Sequence, residues 1–393
     1  MRWNILFAPS AGRVSTCPAS RPRPPRARRI YEAMKLLAKA GAGFFVVALA
    51  LAPTGPPAAA GTYSQVVVFG DSLSDQGNTE TAFGYPPLPP YANGRYSDGQ
   101  NWVDIFGQQL GVKVGSSLGG GTNYAYGFAT TGPQDQPPPL PFTTQRIDQQ
   151  EQAYLKSVHH KADPAALYVL EAGATDILGL LFAAQTDPLL LLFIPTLDQT
   201  GTANVTAETR ALLRAGAKHV LVSNVPNLGL LPIVTEQSGL GGIIAPSVAT
   251  DAAQLWDDDL SDGIVPLTKS GKVTLWDFYN TGAMALAGAS QFGITNTTTE
   301  CVTGYGTTLG VVDQCTPQAE RTHLFFDQVH FTGTGYFGME QGAICALGGT
   351  TVFGWSQSSC IVTRSSLRSH GHPAPPGAFR RAYRSAVLRG AAR

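Results

Sequence analysis

Three short stretches hold the side chains best suited to nucleophilic and acid–base chemistry. In "VVVFGDSLSDQGN" (66–78) an apolar run passes directly into Gly70-Asp71-Ser72, so a hydroxyl stands where a buried strand would end. In "HLFFDQVHFT" (323–332) Asp327 and His330 are three residues apart. That spacing lets a carboxylate hold one imidazole nitrogen while the other takes a proton. "GGGTNYAYGFATTG" (119–132) is rich in glycine around Asn123. Its backbone N–H groups are candidates to stabilise a developing oxyanion. Ester or amide hydrolysis without a metal needs these parts: an activated nucleophile, a base oriented by an acid, and oxyanion donors. Each stretch alone is weak, because Gly-Asp-Ser turns, Asp/His pairs and glycine turns are all common.

Two rival arrangements use other residues. "GSSLG" (115–119) fits the Gly-x-Ser-x-Gly pattern with Ser117 at its centre. That motif needs a strand before it and a helix directly after, and "GGGTN" does not start a helix. His323, Asp327 and His330 have spacings of four and three, which would share a helical face and suit a divalent metal. A metal site would leave the Gly-Asp-Ser stretch unexplained.

Positioning such groups requires a rigid frame, and the chain alternates between two kinds of segment. "QVVVFG" (65–70), "ALYVLEAG" (166–173), "KHVLVSNV" (218–225) and "KVTLWDFY" (272–279) are short, rich in Val and Leu, and hardly alternate. Such runs suit strands of a parallel sheet buried on both faces. Helical patterns lie between them. "NWVDIFGQQLG" puts Trp102, Ile105, Phe106 and Leu110 on one face, and Gly111 follows as a stop. "TTQRIDQQEQAYLKSVHH" (143–160) is polar enough to read as a surface helix, and "NVTAETRALLRAGA" (204–217) ends at Gly216. "TGTGYFGMEQGAICALG" follows His330. The alternation implies α/β with helices on both sheet faces. Two Pro-rich runs, 84–94 and 132–142, read as long loops, which in compact domains are often functional rims. The apolar stretch 177–197 suits either a buried helix or the lining of an acyl groove.

The charge layout excludes one class of partner. Nine of the 27 basic residues precede position 61 and seven follow 363, so residues 61–363 hold 11 basic against 26 acidic residues, a net charge of −15. An acidic body does not suit nucleic acid. The basic ends, also rich in Pro, Ser, Gly and Ala, read as solvated extensions. From Met34, two lysines, an apolar run over about 42–52 and Ala58-Ala59-Ala60 form the pattern of a secretion signal. The expected organisation is an N-terminal extension plus signal over 1–60 (signal 34–60, with Met1 and Met34 both candidate starts), one catalytic domain over 61–363, and a basic tail over 364–393. Cysteine usage agrees with export. Apart from Cys17, the four cysteines Cys301, Cys315, Cys345 and Cys360 are all late. Of three possible pairings, the sequential one, Cys301–Cys315 and Cys345–Cys360, closes two short loops and is expected.

The stretches, in this order, resemble the GDSL esterase/lipase family, or SGNH hydrolases, over nearly all of 64–345. "FGDSLSDQGN" matches the nucleophile block and "GRYSDGQNWVDIFGQQLG" a supporting segment of secreted members. "GTNYAYGFATTG" resembles the second block and "DQVH" the fourth. The resemblance implies a flavodoxin-like three-layer α/β/α sandwich with a mostly parallel sheet, and acyl-ester hydrolysis in a secreted enzyme. It implies Ser72 as nucleophile, His330 as base and Asp327 as orienting acid. The oxyanion hole would use the N–H of Ser72 and that of Gly127, although the family's glycine can sit one position later, at Phe128. In the third block, "EAGATDIL" carries Thr175 where the family has an Asn that donates to the oxyanion. A threonine hydroxyl has one donor on a shorter stem, and loss of one such donor costs on the order of 3 kcal/mol of transition-state stabilisation. Two further readings follow: acyl transfer through the same acyl-enzyme, and a catalytically weak ester- or glycan-binding protein. No cofactor or metal is implied. The expected partner is a small-molecule or lipid acyl ester, with transient contact to a lipid surface and no nucleic acid.

Overall fold

The computed structural model describes residues 62–133, 144–236, 245–303, 312–313 and 315–363. The expected signal over 34–60, the basic tail and most of the second Pro-rich run lie outside the described residues. Four strands form one parallel sheet: β1 (Val66–Phe69), β2 (Leu167–Leu170), β3 (His219–Ser223) and β4 (Val273–Trp276), paired in that order. All four coincide with the apolar runs read from the sequence. Residues 122–124 lie along the outer edge of β1, where Val68 N–H reaches Thr122 O and Tyr124 N–H reaches Val68 O. With that edge segment taken second in chain order, the sheet reads 2-1-3-4-5, the doubly wound order whose switch point flanks the first strand.

Because successive strand residues point to opposite faces, each strand feeds two cores. Val67, Phe69, Tyr168, Leu170, Val220 and Val222 pack on one side with α3 (Ile147–Ser157), α5 (Ile194–Ala215) and α6 (Pro246–Thr268). Val66, Val68, Leu167, Val169 and Leu221 pack on the other with α2 (Trp102–Leu110) and α8 (Gly333–Ala346). Two-sided burial is why the strands show no polar alternation. The result is a three-layer α/β/α sandwich. The other labelled helices are α1 (Asn78–Phe83), α4 (Ala174–Ala183) and α7 (Phe278–Ala287). Short strands β5 (Asn296–Glu300) and β8 (His323–Phe325) pair in parallel, and β6 (Val302–Thr303) and β7 (Val312–Asp313) pair antiparallel. Among the described residues no helix is long and apolar enough to cross a membrane.

Local chemistry sets the helix ends. Asn101 Oδ1 caps α2 by accepting from Val103 N and Asp104 N, the Asp104 carboxylate accepts from Asn101 N, and Gly111 ends the helix at φ 71°. α5 also ends at a left-handed glycine, Gly216, but it starts ten residues before the polar pattern, at Ile194. Pro195 in its first turn suits that earlier start. α3 is less superficial than its polarity implies: Gln150, Glu151 and Tyr154 are buried. The Gln150 amide accepts from Gly70 N and donates to Gly70 O, both at 2.9 Å, and so clamps the chain two residues before Ser72. In the stretch 177–197, Ile177, Leu178, Leu180 and Leu181 are core residues, whereas Phe182, Leu189 and Phe193 are exposed. The disulfides Cys301–Cys315 and Cys345–Cys360 both form, in the sequential pairing.

Candidate active site

β1 delivers Gly70, Asp71 and Ser72 to the carboxyl edge of the sheet, where open α/β sheets bind ligands. After β1 the chain turns sharply: Ser74 N and Asp75 N both donate to Asp71 O, and Leu73 N donates to Asp71 Oδ1. This turn presents the Ser72 side chain, and the Ser72 N–H donates to no acceptor among the described residues.

The remaining letters of that block have structural work. The Asp75 carboxylate collects the N–H groups of Gly77, Asn78, Thr79 and Gly127. The Asn78 amide donates to Asn123 O and Ala125 O, both at 2.8 Å, and Asn123 returns a donor to Ser74 O at 2.7 Å. The first and second blocks are thus laced together behind Ser72.

Asp327 and His330 follow β8 in a loop, not a helical turn. Asp327 Oδ1 accepts from Val329 N at 2.8 Å and His330 N at 2.7 Å, which folds the loop back on its own carboxylate. His330 Nδ1 lies 2.7 Å from Asp327 Oδ2 and 2.9 Å from Oδ1, and His330 Nε2 lies 2.7 Å from Ser72 Oγ. Asp327 and His330 are fully buried, and Ser72 retains 8% exposure. Burial would raise the Asp327 pKa. The charge of His330 and hydrogen bonds from His330, Tyr91 and Val329 outweigh it and hold the carboxyl below its usual value. Sequence reasoning brought these three residues together across 258 positions, and the geometry joins them.

Two expected oxyanion donors are directed elsewhere. The Gly127 N–H donates to Asp75 Oδ2 at 3.0 Å and Thr79 Oγ1 at 2.7 Å. Its lack of a side chain has a separate cause, since a Cβ there would overlap the Tyr96 hydroxyl. The next residue, Phe128, adopts φ 63°, the left-handed region that glycine favours. Thr175 gives its single hydroxyl proton to Asp71 Oδ2 at 3.0 Å. Thr175 therefore supports the turn that carries Ser72, and its one hydroxyl proton is committed there. Behind Asp71 lies a residue that sequence reasoning missed, Glu171 at the end of β2. Burial raises its pKa well above the usual value, and the adjacent Asp71 charge adds to the rise. Its Oε2 accepts from Ser74 Oγ at 2.9 Å, and Ser74 accepts from Trp102 Nε1 at 3.1 Å. The one available signal was an acid directly after an otherwise apolar strand.

The rival arrangements do not assemble. Ser117 Oγ donates to Asn78 Oδ1 at 3.2 Å. His323 Nδ1 meets Ala319 O and its Nε2 meets Asn296 Nδ2, so its ring is turned to groups other than Asp327 and His330. It does approach Cys301 and Cys315, but their sulfurs are joined in a disulfide.

The profile of the GDSL-like Lipase/Acylhydrolase family matches residues 66–339. Lipase 1 of Photorhabdus luminescens is 34% identical over 183 residues, which are 44% of this chain and 24% of that protein. Phosphatidylcholine-sterol acyltransferase of Aeromonas hydrophila is 27% identical over 246 residues, 62% of this chain and 66% of that protein. The matched part thus spans between 24% and 66% of these relatives' own length. A crystal structure of a lipolytic G-D-S-L family protein from Veillonella parvula aligns over 70% of this chain and 93% of that one, with 16% identity and a TM-score of 0.34.

Proposed function

The chain belongs to the GDSL-like lipase/acylhydrolase family, whose chemistry is ester hydrolysis or acyl transfer, and from that premise we propose that it is an exported serine esterase working through an acyl-enzyme on Ser72. One observation carries this reading: a single buried imidazole reaches Ser72 Oγ with one nitrogen and the Asp327 carboxylate with the other.

In the proposed reaction His330 Nε2 takes the Ser72 proton as Oγ attacks the ester carbonyl. Asp327 keeps the Nδ1–H tautomer and stabilises the imidazolium. The oxyanion takes the Ser72 N–H and a second-block donor other than the Gly127 N–H, which already donates to Asp75 and Thr79. Collapse expels the alcohol, which leaves with the proton from Nε2. Water, activated by the same nitrogen, then releases the acid and restores Ser72. These steps use no cofactor.

The named acyltransferase relative favours a second reading of the last step, in which an alcohol replaces water. The two readings share the acyl-enzyme and differ only in acceptor. Two disulfides support export, since such bonds persist in oxidising compartments. The exposed side chains of Phe182, Leu189 and Phe193 supply apolar surface for transient contact with lipid.

The test is hydrolysis of chromogenic esters of several chain lengths, with and without an added alcohol. Ser72→Ala is expected to lose at least about 10⁴-fold in kcat, and Ser117→Ala to retain activity. Wild-type rates in Ser72→Ala would overturn the mechanism, and inhibition by EDTA would point to a metal.

A further inference from the structure

The first Pro-rich loop contributes none of the three catalytic groups, yet one of its side chains is sealed against them. Tyr91 is 2% exposed, and its hydroxyl donates to Asp327 Oδ2 at 2.7 Å, the same oxygen that His330 Nδ1 approaches. Building on the Ser72–His330–Asp327 reading, we propose that Tyr91 is a positioning residue whose hydroxyl fixes the Asp327 carboxylate and thereby keeps His330 aligned on Ser72.

The reasoning starts from a torsion. The last dihedral of an aspartate side chain is broad and weakly restrained, so its plane is set by hydrogen bonds. Backbone N–H groups of Val329 and His330 hold Oδ1. At Oδ2, among the described residues, Tyr91 is the donor besides the imidazole itself. Without it, the plane could turn about the Oδ1 anchor, and the imidazole would follow. A carboxylate held at both oxygens presents one orientation only.

Tyr91 is itself rigidly carried. Its ring meets Phe326 edge-on at 5.2 Å and Tyr96 at 6.2 Å. Ala92 N donates to Ser97 O and Arg95 N to Ala92 O, which closes the turn after it. Arg95 then binds both Asp104 oxygens at 2.7 Å and ties the turn to α2. The same segment grips the catalytic loop at three further points. The Tyr96 ring lies 4.8 Å from the His330 ring, Ser97 Oγ donates to Phe331 O at 3.0 Å, and Gly333 N donates to Asp98 Oδ1 at 2.6 Å. The segment 91–98 is thus a brace for the loop 327–333, with Tyr91 as the member that touches the acid. The other titratable groups surrounding Tyr91, Asp327 and His330 among the described residues are Tyr85 and Tyr96 from the same side, Tyr336 from α8 and Asp71 from the turn that carries Ser72.

Tyr91→Phe keeps the ring and removes the hydroxyl. Its kcat is expected to fall about tenfold or more, as for loss of a hydrogen bond to a charged group, with KM changed less than about twofold. The acid limb of its kcat–pH profile should move to higher pH, because an Asp327 charge shared with one donor fewer holds the imidazolium more tightly. The far-downfield Nδ1–H proton resonance of His330 should shift as well. Tyr154→Phe is the control: it also loses a buried tyrosine hydroxyl contact, to Tyr168 at 2.9 Å, in a core away from the triad, and should keep wild-type kcat and profile. Fluorotyrosine at position 91, a stronger donor of nearly the same volume, should move the acid limb the opposite way and removes any dependence on how well Tyr91→Phe folds. The proposal fails if Tyr91→Phe keeps wild-type kcat, profile and resonance, or if Tyr154→Phe matches its loss at equal folded fraction. Ser72→Ala assayed in parallel separates the two ideas. If it is inactive while Tyr91→Phe is normal, only the role of Tyr91 is lost. If it is active, the triad reading falls and takes Tyr91 with it.

Discussion

Asp327 reaches Ser72 through His330, and Glu171 stands beside Asp71 of the same turn; both acids are sealed from solvent, yet their pKa values move in opposite directions. Desolvation acts on both. The difference lies in what surrounds each carboxyl. Asp327 receives two backbone N–H groups, the Tyr91 hydroxyl and the imidazole. Glu171 accepts from Ser74 Oγ and faces the like charge of Asp71. Burial alone therefore does not decide whether an acid is ionised; donors and the sign of the nearest charge do. In the proposed mechanism one acid must stay charged to stabilise an imidazolium. The other is best kept neutral, so that it can stand beside Asp71 without repelling it.

That contrast is broken most sharply by neutral isosteres at the two positions. Asp327→Asn should lower kcat by roughly 10⁴-fold, because the amide favours the wrong imidazole tautomer. Glu171→Gln replaces a neutral carboxyl by a neutral amide and should keep kcat within about fivefold, since Gln retains an acceptor and a donor. Comparable losses in steady-state assays of the two variants would remove the distinction. Tyr91→Phe, with its smaller expected loss, probes the donors on the charged side. Thr175→Val probes the other side, where one donor to Asp71 disappears. A loss of only a few-fold in kcat is expected from one neutral donor. Thr175→Asn should bring no gain, because position 175 serves Asp71; a clear rise in kcat would restore it to the oxyanion hole.

The smallest effect is on stability against pH. Burial pushes Glu151, Asp176, Glu300 and Glu340 up to about 7. Between their unfolded values near 4 and about 7 the folded chain binds more protons than the unfolded one. Their contribution is complete at acid pH and is lost as pH rises through about 7. Asp327 has the reverse sign: its contribution is present above its unfolded value and disappears only as pH falls through its lowered folded one. Thermal unfolding at pH 5 and pH 8 should therefore show the higher midpoint at pH 5. A midpoint that rises with pH across this window would contradict the assignment of these acids as neutral.

What could be read in advance follows the same division. The central strands were legible because two-sided burial writes itself as unbroken Val and Leu runs. Ser72, Asp327 and His330 were legible as a candidate set because nucleophile, base and acid chemistry constrains residue type, and because their order resembles that of a known family. Polar residues that work by contact were not. Gln150 sits on a helix whose polarity suggests the surface, but its amide clamps Gly70. Thr175 looked like a weakened oxyanion donor until its partner, Asp71, was visible 104 positions away. Tyr91 was hidden in a Pro-rich run, and nothing in its spacing points across 236 positions to Asp327. At Gly127 the backbone N–H is held by Asp75 and Thr79, and the nearby Tyr96 hydroxyl, invisible in the sequence pattern, explains why the residue is glycine.

The central claim is that Ser72 is the acylated atom's owner and His330 its base. Incubating the full chain with an alkyl fluorophosphonate and mapping the adduct by peptide mass spectrometry tests it most directly. One stoichiometric adduct on Ser72, formed in parallel with loss of esterase activity and slowed in His330→Ala, is the predicted result. An adduct on Ser117 or another residue, or full esterase activity with Ser72 completely labelled, would contradict it.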